Sequence, residues 1–176
     1  VEAGLTADVA IVDPNLCQTM SKRLTASSGM DALAHAVECY ESKRSNPLAK
    51  TLAFEAYNLV KDNLMKAAKG DTQAMVNLSL GSLIAGMAFG NSGTTLGHAL
   101  SYPLSNRGVS HGEAVATVLP YALDFNGSDP AFAKNLRRLV RTIQFRWNPT
   151  WDADEMAAEV MEDKRHLGNN PVEVTF

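Results

Sequence analysis

Cysteine, basic clusters and long apolar runs are scarce in this 176-residue chain, and each scarcity argues against a class of protein. The two cysteines, Cys17 and Cys39, form neither a CxxC pair nor a disulfide framework, so a reduced, cytoplasmic setting is expected. The net charge is −3 and basic blocks are missing, which argues against nucleic acid as a partner. No uninterrupted apolar run reaches the roughly 18 residues of a membrane span, so no membrane partner is expected.

The apolar residues that are present suffice for one core. They make up 45% of the chain, which fits a single domain over residues 1–176. The run ADVAIV at 7–12, which Asp13 and Pro14 close, is either the one plausible strand or an extended entry segment. Almost all later apolar residues recur at helical spacing. The predicted fold class is therefore mainly α, a helical bundle with at most one short N-terminal strand.

Capping and breaking residues divide the remaining chain into helices. Thr25, Ser27 and Ser28 are candidate N-caps of the first helix, which is predicted to end near Tyr40. Further helices are predicted at about 47–70, 71–89, around residue 98, and at 111–125, 130–143 and 152–163. The segment 147–149 is expected to break the sixth helix, and the tail from residue 168 is expected to be irregular.

Asp31 and His35 are the first candidates for chemistry, because residues four apart stack on one face of a helix. Such a pair also occurs by chance, usually at a surface or a cap. Cys39, four residues further on, could join a metal site, but a buried, inert thiol is the favoured interpretation.

Two further histidines strengthen this hypothesis. His98 lies among small residues, where a lone histidine is more often a satisfied core residue, and His111 precedes a predicted helix. Together with Asp31 and His35 they form a set of one carboxylate and three imidazoles, which suits Fe²⁺ or Zn²⁺. The fourth histidine, His166, is interpreted as a surface residue of a polar tail.

The segment LTASSGMDALAH at 24–35 resembles the LTAxTGMDALxHAxE signature of the iron-containing alcohol dehydrogenases. Other motifs are similar in the same order: Asn46-Pro47, GMAFGN at 86–91, LGHA at 96–99, His111-Gly112, Leu119-Pro120 and Phe125-Asn126. Asn170-Pro171 and Thr175 resemble the family's C-terminal NPR-like segment. The resemblance implies a helical domain like the C-terminal domain of the dehydroquinate synthases.

This resemblance implies a role for each candidate residue. Asp31, His35, His98 and His111 would be the metal ligands, and the activity would be hydride transfer between a small alcohol or aldehyde and NAD(P), with the metal as Lewis acid. Tyr102 stands where the family usually has a histidine near the nicotinamide, and a tyrosine can still donate a proton there. Thr25 and Leu33 are predicted near the cofactor, and a homo-oligomer is expected.

Departures from the family leave alternatives open. No GGGS-type phosphate loop is found in the sequence, so the family's N-terminal nucleotide-binding domain is expected to be absent from this chain, and NAD(P) would bind only if such a domain were supplied. One alternative is a non-catalytic remnant or interaction module of the same fold. Another is a lyase related to the dehydroquinate synthases, against which the segment TASSGMDALAH argues.

Overall fold

The computed structural model describes residues 7–143 and 150–175, without the side chains of residues 131, 132, 142 and 143. Over these ranges it contains helices and no strand, which confirms the prediction of a mainly α bundle. A short 3₁₀ turn, Pro14–Cys17, precedes eight α-helices: α1 Lys22–Glu41, α2 Pro47–Ala67, α3 Thr72–Phe89, α4 Leu96–Asn106, α5 His111–Phe125, α6 Pro130–Ile143, α7 Ala153–Glu162 and α8 Lys164–Asn169.

Residues 7–12 form neither strand nor helix, which agrees with an extended entry segment rather than a strand, because the described chain offers them no strand to pair with. Two other local predictions need correction. The first helix begins at Lys22 with Ser21 as its N-cap, and Thr25, Ser27 and Ser28 lie inside it. Helix α8, whose N-cap is Asp163, extends over the first two residues of the predicted irregular tail, and residues 170–175 are irregular as predicted. The expected helix break at 147–149 lies outside the described residues.

Helix α1 is the centre of the bundle, because it packs against α2, α3 and α5. Its inner face carries Met30, Leu33 and Val37, which join side chains from the neighbouring helices in one core cluster. Burial of each large apolar side chain contributes about 1.5–3 kcal/mol. Helices α7 and α8 pack instead against α4, so the C-terminal segment closes over the start of α4.

Helix α5 crosses α1 with almost no space between their backbones. A Cβ atom added to Gly112 would lie 2.2 Å from the carbonyl oxygen of Ser27, so glycine is required at this crossing. The guanidinium of Arg23 pairs with both carboxylate oxygens of Glu113 beside the same crossing. This close approach fixes the first residue of α5, His111, next to the middle of α1.

Helix α3 is long and apolar enough to cross a membrane by length and composition alone, with a mean hydropathy of 1.2 over its 18 residues. This is weak evidence of a span, since core helices meet the same criteria, and α3 packs against α1 and α2. Its outer face exposes Val76, Leu80, Leu83 and Met87, which are spaced four, three and four residues apart.

Candidate metal centre

Three helices bring the four predicted ligands together. Asp31 and His35 lie one turn apart on α1, His98 lies in the first turn of α4, and His111 begins α5. Their Nε2 atoms face one oxygen, Oδ1 of Asp31, at 4.0 Å from His35, 3.5 Å from His98 and 3.4 Å from His111. Donor atoms of Asp31, His35 and His98 lie within 4.8 Å of one another.

These separations fit a metal ion. Ligand bonds of about 2.0–2.2 Å place neighbouring donors of a tetrahedral site roughly 3.4 Å apart. The contacts of His98 and His111 with Asp31 are close to that spacing, and the contact of His35 is somewhat longer.

Two buried atoms of the cluster have no hydrogen-bond partner in the described part of the chain: Oδ1 of Asp31 and Nε2 of His98. An unpaired buried polar atom costs about 1–3 kcal/mol, and native structures hold few of them. Both atoms belong to groups that carry lone pairs, and they face each other across 3.5 Å. A divalent cation between them would satisfy both, so the residues present fit a metal.

Stacked rings hold the imidazole of His35 in place. Its ring lies between that of Phe89, at 4.1 Å between centroids, and that of His98, at 4.7 Å, with small interplanar angles of 13° and 20°. Phe89 is the last residue of α3, His98 lies in the first turn of α4 and His35 lies on α1, so this stack joins three helices at the site. It restricts ring rotation before any ligand arrives.

Glu38 is a residue of the site that the sequence reasoning missed. It is 1% exposed, and its carboxylate contacts Nδ1 of His98. The signal was present in the sequence: residues 31, 35 and 38 are spaced four and three apart, which puts three polar side chains on one face of a helix rich in small and apolar residues.

The charges of the cluster reinforce one another. Burial alone would raise the pKa of Asp31, but the three neighbouring imidazoles outweigh it and hold that pKa below its usual range. Burial would likewise raise the pKa of Glu38, and the charge of His98 reverses the effect. Asp31 and Glu38 are therefore carboxylates rather than carboxylic acids.

The pKa values of His35 and His98 are shifted in opposite directions. Burial lowers the pKa of His35 to about 4, so its imidazole is neutral near pH 7 and has a lone pair to offer. Burial would also lower the pKa of His98, but the carboxylates of Glu38 and Asp31 raise it to about 9. The site therefore attracts a positive charge, and a divalent cation would replace the proton on His98.

Tyr102 lies at the edge of the cluster, with its ring 6.0 Å from that of His111 and nearly parallel to it. Burial and the nearby carboxylates of Asp163 and Glu38 raise the pKa of Tyr102 above its usual value. The phenol is therefore neutral at physiological pH and can donate a hydrogen bond.

His166 is not the surface residue that the sequence suggested. Its side chain is 14% exposed, because α8 folds back over α4. Its Nδ1 lies 2.6 Å from the carboxylate of Asp163, and its ring lies 6.4 Å from that of His98 and 5.4 Å from that of Tyr102. Only the tertiary fold brings this residue beside the cluster, since 55 residues or more separate it from the other histidines.

The two predicted cofactor contacts lie within α1. Thr25 is buried, and Leu33 is 1% exposed and packs in the core, so this chain leaves little surface of either side chain for a cofactor. Their assignment stays a prediction. Cys39 is buried against Ala49, Ala53 and Ala88, away from the metal-ligating atoms, which agrees with the interpretation of an inert thiol.

Comparison with known proteins gives consistent matches. The family described as "Fe-containing alcohol dehydrogenase family, C-terminal" matches residues 25–173. Long-chain-alcohol dehydrogenase 1 of Geobacillus thermodenitrificans is 46% identical over 124 residues, which are 69% of this chain and 31% of that protein.

Solved structures of whole proteins contain the same helical arrangement. The sulfoacetaldehyde reductase of Bifidobacterium kashiwanohense, in complex with NAD⁺, is similar with a TM-score of 0.91 and 32% identity, over 99% of this chain and 53% of that one. An iron-containing alcohol dehydrogenase of Thermotoga maritima gives a TM-score of 0.81 and 32% identity, over 93% and 49%. The chain thus spans about a third of the curated relative and about half of these structures.

Proposed function

Because this chain belongs to the Fe-containing alcohol dehydrogenase family through its C-terminal domain, we propose that Asp31, His35, His98 and His111 hold one divalent metal ion in an alcohol-oxidising enzyme. The observation that carries the proposal is the convergence of the three imidazoles on Oδ1 of Asp31, where two buried atoms have no other partner. The metal content of the purified chain is the direct test.

The proposed ion is Fe²⁺, with Zn²⁺ as the alternative, since one carboxylate and three imidazoles suit both. When bound, it supplies Lewis-acid polarisation of the alcohol or carbonyl oxygen. The protein's own part is positional. Asp31 supplies the negative charge that attracts the cation, His35 and His98 close the buried side, and the half-exposed His111 forms the open side toward substrate.

The reaction that this site would serve is hydride transfer between a small alcohol or aldehyde and NAD(P). The homologues of known name support an alcohol or aldehyde substrate, and the NAD⁺ in the sulfoacetaldehyde reductase structure supports a nicotinamide cofactor. The site has its open side at His111 and Tyr102, so a cofactor held by a nucleotide-binding domain would approach there. Activity is therefore proposed for the protein that combines this domain with a nucleotide-binding domain.

Tyr102 is the proposed catalytic residue of this reaction. We expect Tyr102→Phe to lower kcat about 10–100-fold, because removal of the hydroxyl removes a hydrogen-bond donor to the reacting oxygen. The ring and its contact with His111 remain, so the metal content should stay unchanged. Steady-state kinetics of the enzyme with its nucleotide-binding domain, together with metal analysis, measures both. An unchanged kcat would exclude Tyr102 from the chemistry.

We further propose a homo-oligomer, which the outer face of α3 supports. Val76, Leu80, Leu83 and Met87 line one side of this helix at the spacing of a helix–helix seam. Sedimentation velocity should show that Leu80→Glu/Leu83→Glu dissociates the oligomer, since two buried charges would oppose the contact. Leu48→Glu, at an exposed position of α2, is the control and should leave the mass unchanged. A wild-type monomer would contradict the proposal.

A cytoplasmic location is also proposed. Its support is that Cys17 and Cys39 are both free thiols in the fold, as expected of proteins kept in a reducing compartment.

A further inference from the structure

The carboxylate of Glu38 makes four contacts within the described residues, and all of them are with residues at the start of α4. Its Oε1 accepts hydrogen bonds from the backbone N–H of Thr95 at 3.1 Å, from Oγ1 of Thr95 at 2.8 Å and from the backbone N–H of His98 at 3.1 Å. Its Oε2 contacts Nδ1 of His98. A fully buried carboxylate is costly unless it is paired and hydrogen-bonded in this way.

These contacts determine which ring nitrogen of His98 is available to a metal. An ionised carboxylate can only accept hydrogen bonds, so Nδ1 of His98 must carry the proton in its contact with Glu38. Nε2 is then the nitrogen that faces Oδ1 of Asp31. Metal-ligating histidines generally donate their other N–H to such a partner, which fixes tautomer and ring orientation.

We propose that Glu38 is a positioning residue of the metal centre, which holds the proton on Nδ1 of His98 and so keeps Nε2 directed at the ion. The inference rests on the proposed metal site and adds a residue that never touches the metal. Glu38 is not one of the four proposed ligands, and this role explains why its carboxylate is buried beside them.

The same carboxylate also positions the helix that carries His98. Thr95, the N-cap of α4, makes no side-chain bond to its own helix, and Glu38 accepts instead from the N–H of His98 in the first turn. Gly97 makes room for it, since a Cβ atom there would lie 2.9 Å from Oε1 of Glu38. Glu38 thus fixes the start of α4 as well as the ring.

Glu38→Gln separates these two tasks. The carbonyl oxygen of the amide should take the place of Oε1, because three donors face that position. The NH₂ group must then face Nδ1 of His98 and donate to it. Nδ1 becomes an acceptor and gives up its proton, Nε2 holds the remaining ring proton, and the lone pair needed by the metal is lost. The three contacts at the Oε1 position and the contact with Nδ1 are kept, so the variant should fold.

The test combines ring spectra with metal affinity. Two-bond ¹H–¹⁵N spectra of the metal-free protein report which ring nitrogen of His98 is protonated, and the chain's four histidines make the assignment feasible. We expect a protonated Nδ1 in the wild type and an unprotonated Nδ1 in Glu38→Gln. Titration with Zn²⁺ should show about 10–100-fold weaker binding in the variant, with an unchanged far-UV spectrum.

Glu41→Gln is the matched control. Glu41 lies three residues further along α1 and bonds to Ser128 and Asn126, so neither the ring signal nor the Zn²⁺ affinity should change. A protonated Nδ1 in Glu38→Gln, or wild-type affinity, would overturn the role of Glu38. Failure of the wild type to bind Zn²⁺ or Fe²⁺ would overturn the metal centre itself. This outcome can be told apart from a failure of the role of Glu38, because the ring spectra are recorded without metal.

Discussion

The purified chain is expected to hold about one Fe²⁺ or Zn²⁺ ion, and His98→Ala is expected to hold none. His98 supplies the most deeply buried donor of the cluster, at 3% exposure, and its Nε2 is one of the two unpaired atoms that face the site. Without it the ion would keep at most three protein ligands, of which His111 is half-exposed. Elemental analysis after anaerobic reconstitution measures the loss.

Metal removal should also appear as a change in stability. A ligand present at 100 times its Kd stabilises the native state by about 2.7 kcal/mol, so chelation should lower the Tm of the wild type. The Tm of His98→Ala should not respond to added metal. This variant should also be less stable by about 3–5 kcal/mol, because the carboxylate of Glu38 loses its buried partner.

Two other variants separate metal loss from misfolding. His111→Ala removes a half-exposed ligand and should lose the metal with little change in the stability of the metal-free protein. His166→Ala changes a ring that lies close to His98 but is not among the proposed ligands, so it should keep the metal. If His98→Ala and His111→Ala both retained one metal ion per chain, the ligand assignment would be wrong. A wild type without metal would favour the alternative of a non-catalytic remnant.

Gly112→Ala is expected to cause the largest loss of stability among single-methyl substitutions. The new Cβ would lie 2.2 Å from the carbonyl oxygen and 2.6 Å from the carbonyl carbon of Ser27, and backbone atoms cannot move aside as a side chain can. Helices α5 and α1 would have to separate, at a cost of about 1–3 kcal/mol or more. For a chain of this size, 3 kcal/mol lowers the Tm by about 6–12 °C.

Gly86→Ala is the matched control for that prediction. Gly86 lies inside α3, and a Cβ atom added there meets nothing within 4 Å. Alanine in a helix interior is favoured over glycine by about 0.5–1 kcal/mol, so this variant should be as stable as the wild type or slightly more stable. Thermal unfolding followed by circular dichroism compares the two. A normal Tm for Gly112→Ala would mean that the helices are not held at this distance.

The separation of α5 from α1 should also weaken metal binding, because His111 is the residue before Gly112. Its Nε2 lies 3.4 Å from Oδ1 of Asp31 only while the two helices stay in contact. Stability and affinity should therefore fall together in Gly112→Ala, whereas His111→Ala should lose affinity alone.

Most of the helices could be predicted from the sequence, because their signals are local. The spacing of apolar residues and the positions of helix-breaking residues predicted the bounds of α2, α3 and α5 closely. Pro47, Gly70 and Asp71 start or end a helix within one turn of their own positions, so their effect can be seen in the local sequence. The first N-cap was misplaced because several hydroxyl residues compete at 21–28, and the burial of Thr25 and Ser27 in helix contacts made Ser21 the cap. Residues 7–12 have strand composition, but a strand needs a partner that no local pattern supplies.

The four proposed ligands could be selected by residue type and motif order, but their convergence could not. Asp31 and His35 share a helix face, which spacing alone predicts. The approach of His98 and His111 depends on the glycine contacts at residues 97 and 112, which only packing reveals. The same holds for His166, whose polar surroundings in the sequence suggested exposure until α8 placed it against α4.

The sequence by itself thus determined the helical class, the positions of most helices and the identities of the proposed ligands, because periodicity, caps and motifs are properties of neighbouring residues. Tertiary structure alone decided that three imidazoles meet one carboxylate oxygen, that Glu38 fixes the ring of His98, and that His166 borders the site. The physical reason is distance along the chain. The contacts of His98 and His111 with Asp31, and of His98 with Glu38 and His166, join residues 60 to 80 positions apart, and the free energy that holds them comes from burial shared among several helices.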